Sequence, residues 1–307
     1  MGQRRRIAAY GMCLDRDGRV LLARGSEQAA FTGVWQIPGG GIEHGEHPAD
    51  GVVREFAEET GLAVTVAGLR AVVSDVLLLP DGVAEHTDRI IYDVRVTGGV
   101  LRDEPDGTTD LASWHSLDEA KSLALMPFTA ELLGVPVVPL ATPPPGPPPP
   151  PVSGPPRGQR FAAYGLATDP PGRVLLTLIA PGFPGAGHWH LPGGGTDFGE
   201  QPATALEREL AEEAGQVGRV TGLIEVNHHH NPAARGPEGY PMDWHAVRVI
   251  YRVVVDAPTE AVVTEAAGGS TADARWFTPA EAAQLSLTVP AADALAYLLV
   301  GGDGSGE

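Results

Sequence analysis

GGIEHGEHPADGVVREFAEETGL, running from Gly40 to Leu62, decides how this chain is read. It returns as GGTDFGEQPATALERELAEEAGQ, from Gly194 to Gln216. Each stretch runs Gly, five residues, Glu, seven residues, then Arg-Glu-x-x-Glu-Glu-x-Gly. Pro48 and Pro202 stand where a first helical turn begins, because proline lacks only a donor that would be unpaired there. Gly61 and Gly215 supply the stop. Between them Glu55, Glu58 and Glu59 fall at i, i+3 and i+4, so their carboxylates are expected on one helix face. Val52, Val53, Phe56 and Ala57 are expected to form the buried stripe. The copy places Glu209, Glu212 and Glu213 against Leu206, Leu210 and Ala211.

Three like charges on one face repel by ~0.2–0.5 kcal/mol per exposed pair. A hard divalent cation converts that repulsion into a site, since Mg²⁺ takes oxygen ligands and brings substrate phosphates with it. A single Arg-Glu-Phe-Ala-Glu-Glu run also reads as a solvated, salt-bridged helix face. Pro38-Gly39-Gly40-Gly41 and Pro192-Gly193-Gly194-Gly195 decide against that, because glycine turns let backbone groups approach a metal or phosphate closely. Turn, lone Glu46 or Glu200, helix and acids occur together, twice, at the same spacing.

At these residues the chain resembles the Nudix hydrolases, whose box has this spacing. The first copy departs in Phe56, at a usually aliphatic position, and the second in Gln216, at the closing apolar one. Both departures concern packing, and no charged position is missing. The resemblance implies an α/β fold of two α/β/α sandwich domains, at 1–138 and 158–302, while the composition between and after them reads as a proline-rich linker at 139–157 and a disordered tail at 303–307. It implies that Glu55, Glu58 and Glu59 hold Mg²⁺ or Mn²⁺ with the carbonyl of Gly39, and that Glu209, Glu212, Glu213 and Gly193 repeat this. Arg54 and Arg208 are expected to orient carboxylates through bidentate contacts. Glu55 is the first candidate for general base, with Glu209 as its counterpart. Glu46 and Glu200 are expected to brace the loop against the helix.

Outside the boxes the repeat continues. Arg6-Ile-Ala-Ala-Tyr-Gly matches Arg160-Phe-Ala-Ala-Tyr-Gly, and Trp35-Gln-Ile-Pro matches Trp189-His-Leu-Pro. After the boxes the copies drift, and the second carries extra residues around His228 to Trp244 and more before Trp276. Strands are expected at Ile7–Leu14, Arg19–Arg24, Val64–Leu79 (one bent or two) and Arg89–Val96, with a short helix at Leu117–Leu125. Pro139 to Pro156 has no route to a helix or a central strand and reads as a polyproline II spacer of about 3.1 Å per residue.

The net charge of −18 argues against a nucleic-acid or anionic-membrane partner, with Arg4-Arg5-Arg6 read as a solvated N-terminus. Cys13 is the only cysteine, which fits a reducing compartment. With no signal peptide or long apolar run in view, a cytoplasmic protein is expected. Its partner is a small nucleotide, and oligomeric state is left open.

His86 with Arg89, and His245 with Arg248, recur at one spacing. One of each pair is expected to reach a phosphate in the cleft while the other faces solvent. Trp35 and Trp189 read as packing beneath the glycine turn. His228-His229-His230 reads as an exposed loop rather than a transition-metal site, Pro232 carries little weight, and Asp110 and Asp273 slip by one position between the copies. The function expected is metal-dependent cleavage of the pyrophosphate link in a nucleoside diphosphate derivative at two sites. The alternative is one catalytic copy with a nucleotide-binding sensor.

Overall fold

The structure, a computed structural model, describes residues 2–104, 107–141, 157–235, 241–264 and 269–301. Most of the expected linker and the whole of the expected tail lie outside the described residues. The chain divides into two compact units, Met1–Gln159 with Asn227–Ala246, and Arg160–Val226 with Val247–Glu307. The sequence reading divides the chain at 138 and 158, whereas the first unit runs on to Gln159. The segment Asn227–Ala246, which lies within the second copy, belongs to the first unit.

The first copy contains β1 (Gln3–Met12), β2 (Val20–Gly25), β3 (Trp35–Gln36), β4 (Gly39–Gly41), α1 (Pro48–Thr60), β5 (Leu62–Leu78), β6 (Ala84–Gly99), β7 (Thr109–His115), α2 (Leu117–Ala120) and α3 (Pro127–Leu133). The second contains β8 (Arg157–Thr168), β9 (Val174–Ile179), β10 (Trp189–His190), β11 (Gly193–Gly195), α4 (Pro202–Ala214), β12 (Arg219–Arg235), β13 (Pro241–Val254), β14 (Thr271–Phe277), α5 (Pro279–Ala282) and α6 (Val289–Gly301).

In the first copy a mixed sheet runs β4-β1-β6-β5, with β1 and β6 parallel, and a smaller sheet runs β3-β2-β7. The second copy joins the corresponding strands in one sheet, because Thr168 pairs with Val174 in the ladder. In the first copy Leu14 and Val20 make only an isolated bridge at that point.

Strand alternation assigns the two faces of β1. Ala8, Tyr10 and Met12 face a core built with Met126, Phe128 and Ala130. Gly11 faces the opposite way, and a Cβ there would collide with the Phe56 ring. So α1 covers one face and α3 the other, which is the expected helix–sheet–helix sandwich. In the second copy Leu166 packs with Ala291, Ala294 and Leu295 of α6, while Gly165 lies against Leu206 of α4. The box departures are absorbed as packing. Phe56 is fully buried, and buried Gln216 exchanges hydrogen bonds with Thr259 through both ends of its amide, at 3.0 and 3.1 Å.

Two local expectations are corrected. Ala57 and Ala211 are exposed, whereas Glu59 and Glu213 are each only 4% exposed. The box acids therefore fan from solvent into the core instead of sharing one outer face. The helix expected over Leu117–Leu125 ends at Ala120, and Pro127 starts another. Arg4, Arg5 and Arg6 are exposed, as a solvated N-terminus requires, and from β1 Arg4 and Arg5 pair with Glu85 at 2.7 Å and Asp88 at 3.2 Å.

Candidate active sites

Helix α1 starts at Pro48, with the His47 side chain accepting the Ala49 N–H at 3.0 Å, and ends at Gly61 in the left-handed region. Those boundaries set the rotation of the helix and hence where its acids point. Arg54 gathers them. Its Nε and Nη2 donate to the two oxygens of Glu46, both at 2.9 Å, while Nη1 donates to Glu55 at 2.9 Å and Glu58 at 3.1 Å. Nη2 also donates to the carbonyl of Gly41 at 3.1 Å. Glu46 in turn accepts the Glu43 N–H at 2.8 Å, so the loop is braced to the helix.

The second copy repeats this bond for bond. Arg208 donates to Glu200 at 3.0 and 3.1 Å, to Glu209 at 3.0 Å, to Glu212 at 3.1 Å and to the Gly195 carbonyl at 3.1 Å. Glu200 accepts the Asp197 N–H at 2.8 Å. A planar guanidinium with fixed donors is the side chain suited to holding three carboxylates in register.

The glycine turn supplies the other wall. Gly39 and Gly193 both sit at φ 138°, and a Cβ on either would strike a backbone carbonyl of the neighbouring strand. A Cβ on Gly40 would fall 2.8 Å from Oε2 of Glu55, and one on Gly194 2.6 Å from Oε1 of Glu209. Only glycine lets the carboxylate lie against the backbone there. The Gly39 and Gly193 amides donate to Oε2 of Glu59 and Glu213, both at 2.8 Å.

The acids of α1 differ in environment. Glu58 is half exposed. Burial raises the Glu55 carboxyl above its ordinary value, with the Arg54 hydrogen bond opposing the rise. Burial pushes Glu59 up to about 8 even though the Gly39 amide and the Thr109 hydroxyl lower it. Burial likewise raises Glu209. Carboxylate and carbonyl oxygens are the donors gathered here, a set that fits a hard divalent cation.

A family model for the NUDIX domain matches this chain twice, over residues 4–133 and 158–298. The chain belongs to the NUDIX family. It carries two Nudix domains in tandem and is a Nudix hydrolase. It is 31% identical over 131 residues to a MutT-like protein of Streptomyces ambofaciens, covering 41% of this chain and 74% of that one. It is 36% identical over 118 residues to an ADP-ribose pyrophosphatase of Methanocaldococcus jannaschii, covering 38% and 66%. Among solved structures, a MutT Nudix hydrolase from Burkholderia pseudomallei aligns at 28% identity and a TM-score of 0.36, covering 46% of this chain and 98% of that one. Nudix hydrolases generally need a divalent metal ion. Among the described residues no helix is long and apolar enough to cross a membrane.

In this Nudix chain the structure also shows residues that the motif leaves out. The hydroxyl of Thr109, on β7, donates to Oε1 of Glu59 at 2.8 Å, and Thr271 does the same for Glu213. Each threonine stands five residues before its tryptophan, Trp114 or Trp276, so their alignment was readable in the repeat. The neighbouring Asp110 and Asp273 instead pair with Arg24 at 2.8 Å and Arg275 at 2.6 Å. Exposed Arg6 and Arg160 begin the first repeated motif. Their guanidinium groups lie over Gly41 and Gly195, and each charge lowers the pKa of its box acid, Glu55 or Glu209.

The two His–Arg pairs diverge. His86 and Arg89 are both buried, so neither faces solvent as the alternation argument expects. Arg89 is held by Asp75 at 2.8 Å and the Tyr10 hydroxyl at 2.7 Å, with its guanidinium 4.3 Å from the Phe128 ring centre. His245 is buried in the first unit, and burial with the surrounding histidines lowers it to about 4. Arg248 is half-buried beside His190 and Tyr164, and among the described residues it makes no ion pair. Trp35 and Trp189 pack edge-on against His115 and Phe277, as expected of supports for the turn. His228 to His230 form part of strand β12 and not a loop, so alternation puts His228 and His230 on one side.

Proposed function

We propose that the protein is a Mg²⁺- or Mn²⁺-dependent pyrophosphohydrolase of nucleoside diphosphate derivatives, with one site in each copy, 1–138 and 158–302. The observation that carries this reading is the duplicated arginine–carboxylate network, which repeats every hydrogen bond of Arg54 in Arg208. Several curated relatives carry names of this class, including an ADP-ribose pyrophosphatase and a CTP pyrophosphohydrolase of Escherichia coli.

Glu55, Glu58 and Glu59, with the Gly39 carbonyl, would hold the metal at the first site. Glu209, Glu212 and Glu213, with that of Gly193, would hold it at the second. A divalent ion held there would supply charge screening for the phosphates and favour attack by water. Water adds its oxygen to phosphorus, the bridging P–O bond breaks, and the leaving phosphate keeps that electron pair. Glu55 takes the proton. Glu59 is less suited to that role because both its oxygens already accept hydrogen bonds, from Gly39 and Thr109. Burial has also raised the Glu55 carboxyl toward the working pH, which improves a base. Exposed Arg6 and Arg160, and Arg248 in the second copy, meet the remaining phosphate charge. His86, Arg89 and His245 take no part in this reading, because each is buried among protein partners.

The test is phosphate or nucleoside monophosphate release over a panel of ADP-ribose, nucleotide sugars, dinucleoside polyphosphates and nucleoside triphosphates. Activity disappears in EDTA and returns with Mg²⁺ or Mn²⁺. Hydrolysis that continues undiminished without metal overturns the reading.

A further inference from the structure

Five of the ten histidines gather within the first unit: His44, His47, His228, His230 and His245. We propose that His44, His230 and Asp243 form a second kind of metal site there, one that takes a borderline divalent ion of the Zn²⁺ or Co²⁺ class. Their ligand atoms all lie within 4.8 Å of one another. Oδ1 of Asp243 is 2.7 Å from Nε2 of His230 and 3.2 Å from Nε2 of His44.

The geometry leaves one group unexplained without a ligand. Nε2 of His44 is buried and is met only by the 3.2 Å approach of Asp243 Oδ1, with no hydrogen bond of good geometry. A buried imidazole nitrogen without a good hydrogen bond costs on the order of 1–3 kcal/mol. Two imidazole nitrogens and one carboxylate oxygen within 4.8 Å of one another make a donor set that suits Zn²⁺ and its neighbours, and Mg²⁺ poorly.

The surroundings hold that arrangement. His230 packs against Gly45, where a Cβ would fall 2.7 Å from its Nδ1. The Gly45 N–H donates to Nδ1 of His245 at 3.2 Å, which puts the His245 proton on Nε2, 3.3 Å from Nδ1 of His228. His44 and His230 meet edge to face with ring centres 5.5 Å apart. Strand alternation turns His229 away from this group.

These ligands lie outside what the two copies share. His44 stands where the second box has Phe198, and His230 and Asp243 come from the stretch with extra residues in the second copy. The site therefore stands apart from the box carboxylates. His44 is two residues before Glu46, the partner of Arg54, so an ion there would pin the loop of the first box.

The full-length chain decides this by equilibrium dialysis against Zn²⁺ or Co²⁺ in excess Mg²⁺, with visible absorption reporting Co²⁺ ligated by nitrogen. One equivalent is expected to remain on the wild type and on the Glu59→Gln/Glu213→Gln double variant. His44→Phe, the second copy's own choice, and Asp243→Asn each lose at least tenfold in affinity. His229→Ala keeps it. Circular dichroism of the variants checks that the fold is retained, and Zn²⁺ raises the Tm of the wild type more than that of His44→Phe. The proposal fails if no equivalent survives Mg²⁺, or if a folded His44→Phe/His230→Ala variant binds as tightly as the wild type.

Discussion

The hydroxyl of Thr109 donates to Oε1 of Glu59 across 2.8 Å, while the Gly39 amide holds the other oxygen from the opposite side at the same distance. A carboxylate on α1 is thereby fixed by β7 and β4 at once. The Glu59 carboxyl lies almost wholly out of water, where its ionised form would serve the metal of the proposed site.

Thr109→Val tests that tie. It preserves shape and removes the donor, so a buried oxygen loses its partner. We expect a loss of about 1–2 kcal/mol in urea denaturation of the metal-free protein. At the first site metal affinity should fall roughly ten- to hundredfold, the usual cost of losing a group that orients a ligand. Mg²⁺ titration of activity reads that change, and an unaltered titration would sever Thr109 from the site.

The pH dependence follows from Glu59. Burial raises its carboxyl from 4.5 to about 8, so the folded protein favours the protonated form. That contribution to stability is complete below about 4.5 and is lost as pH climbs through about 8, on the order of a few kcal/mol. Glu59→Gln keeps an acceptor for Gly39 and presents a donor to Thr109, mimicking the protonated acid. In EDTA at pH 8 the variant should be more stable than the wild type, and at pH 4 the two should converge. A wild-type curve parallel to that of the variant from pH 4 to 8 would contradict the assignment. Metal reverses the order, because the ionised form binds it and a proton is released.

Much of this was legible in the sequence, for identifiable reasons. Pro48, Gly61 and their counterparts fixed the helix ends, since cap chemistry is local. Spacing gave the box acids but misjudged their burial, because the depth of Glu59 is set by β7, which closes over it from far along the chain. The role of Thr109 became visible only when β7 was placed, although the matching Thr271 was there to be aligned. The histidine strand was misread for a similar reason. Neighbouring Asn231 and Pro232 signal a loop locally, whereas pairing of β12 with β13 overrides that preference.

Arg89 and Arg248 separate structure from function at matched positions. Arg89→Met strips Asp75 and the Tyr10 hydroxyl of their cation, and it should destabilise the protein by about 3 kcal/mol, as breaking a buried pair does. Arg248→Ala leaves no carboxylate unpaired among the described residues. It should raise KM at the second site with little change in urea midpoint. Equal destabilisation by both changes, with KM unmoved in Arg248→Ala, would remove Arg248 from the substrate.

Whether both sites cut is decided by Glu59→Gln and Glu213→Gln together. Each box keeps its arginine, its three helix acids and its glycine turn, and clustering like charges without a metal would be unfavourable in both. Glu213 sits as Glu59 does, with the Gly193 amide on one oxygen and Thr271 on the other. Glutamine satisfies both neighbours in either copy, so a loss of turnover reports the missing charge and not a collapsed helix. Each single variant should lose only its own site's share of activity, with a barrier increase on the order of several kcal/mol there. The double variant should be close to inactive on every substrate of the panel. If Glu213→Gln left all turnover intact while Glu59→Gln abolished it, the second copy would bind without cutting. Its Arg248 would then serve recognition alone, and the sensor arrangement would replace the two-site one.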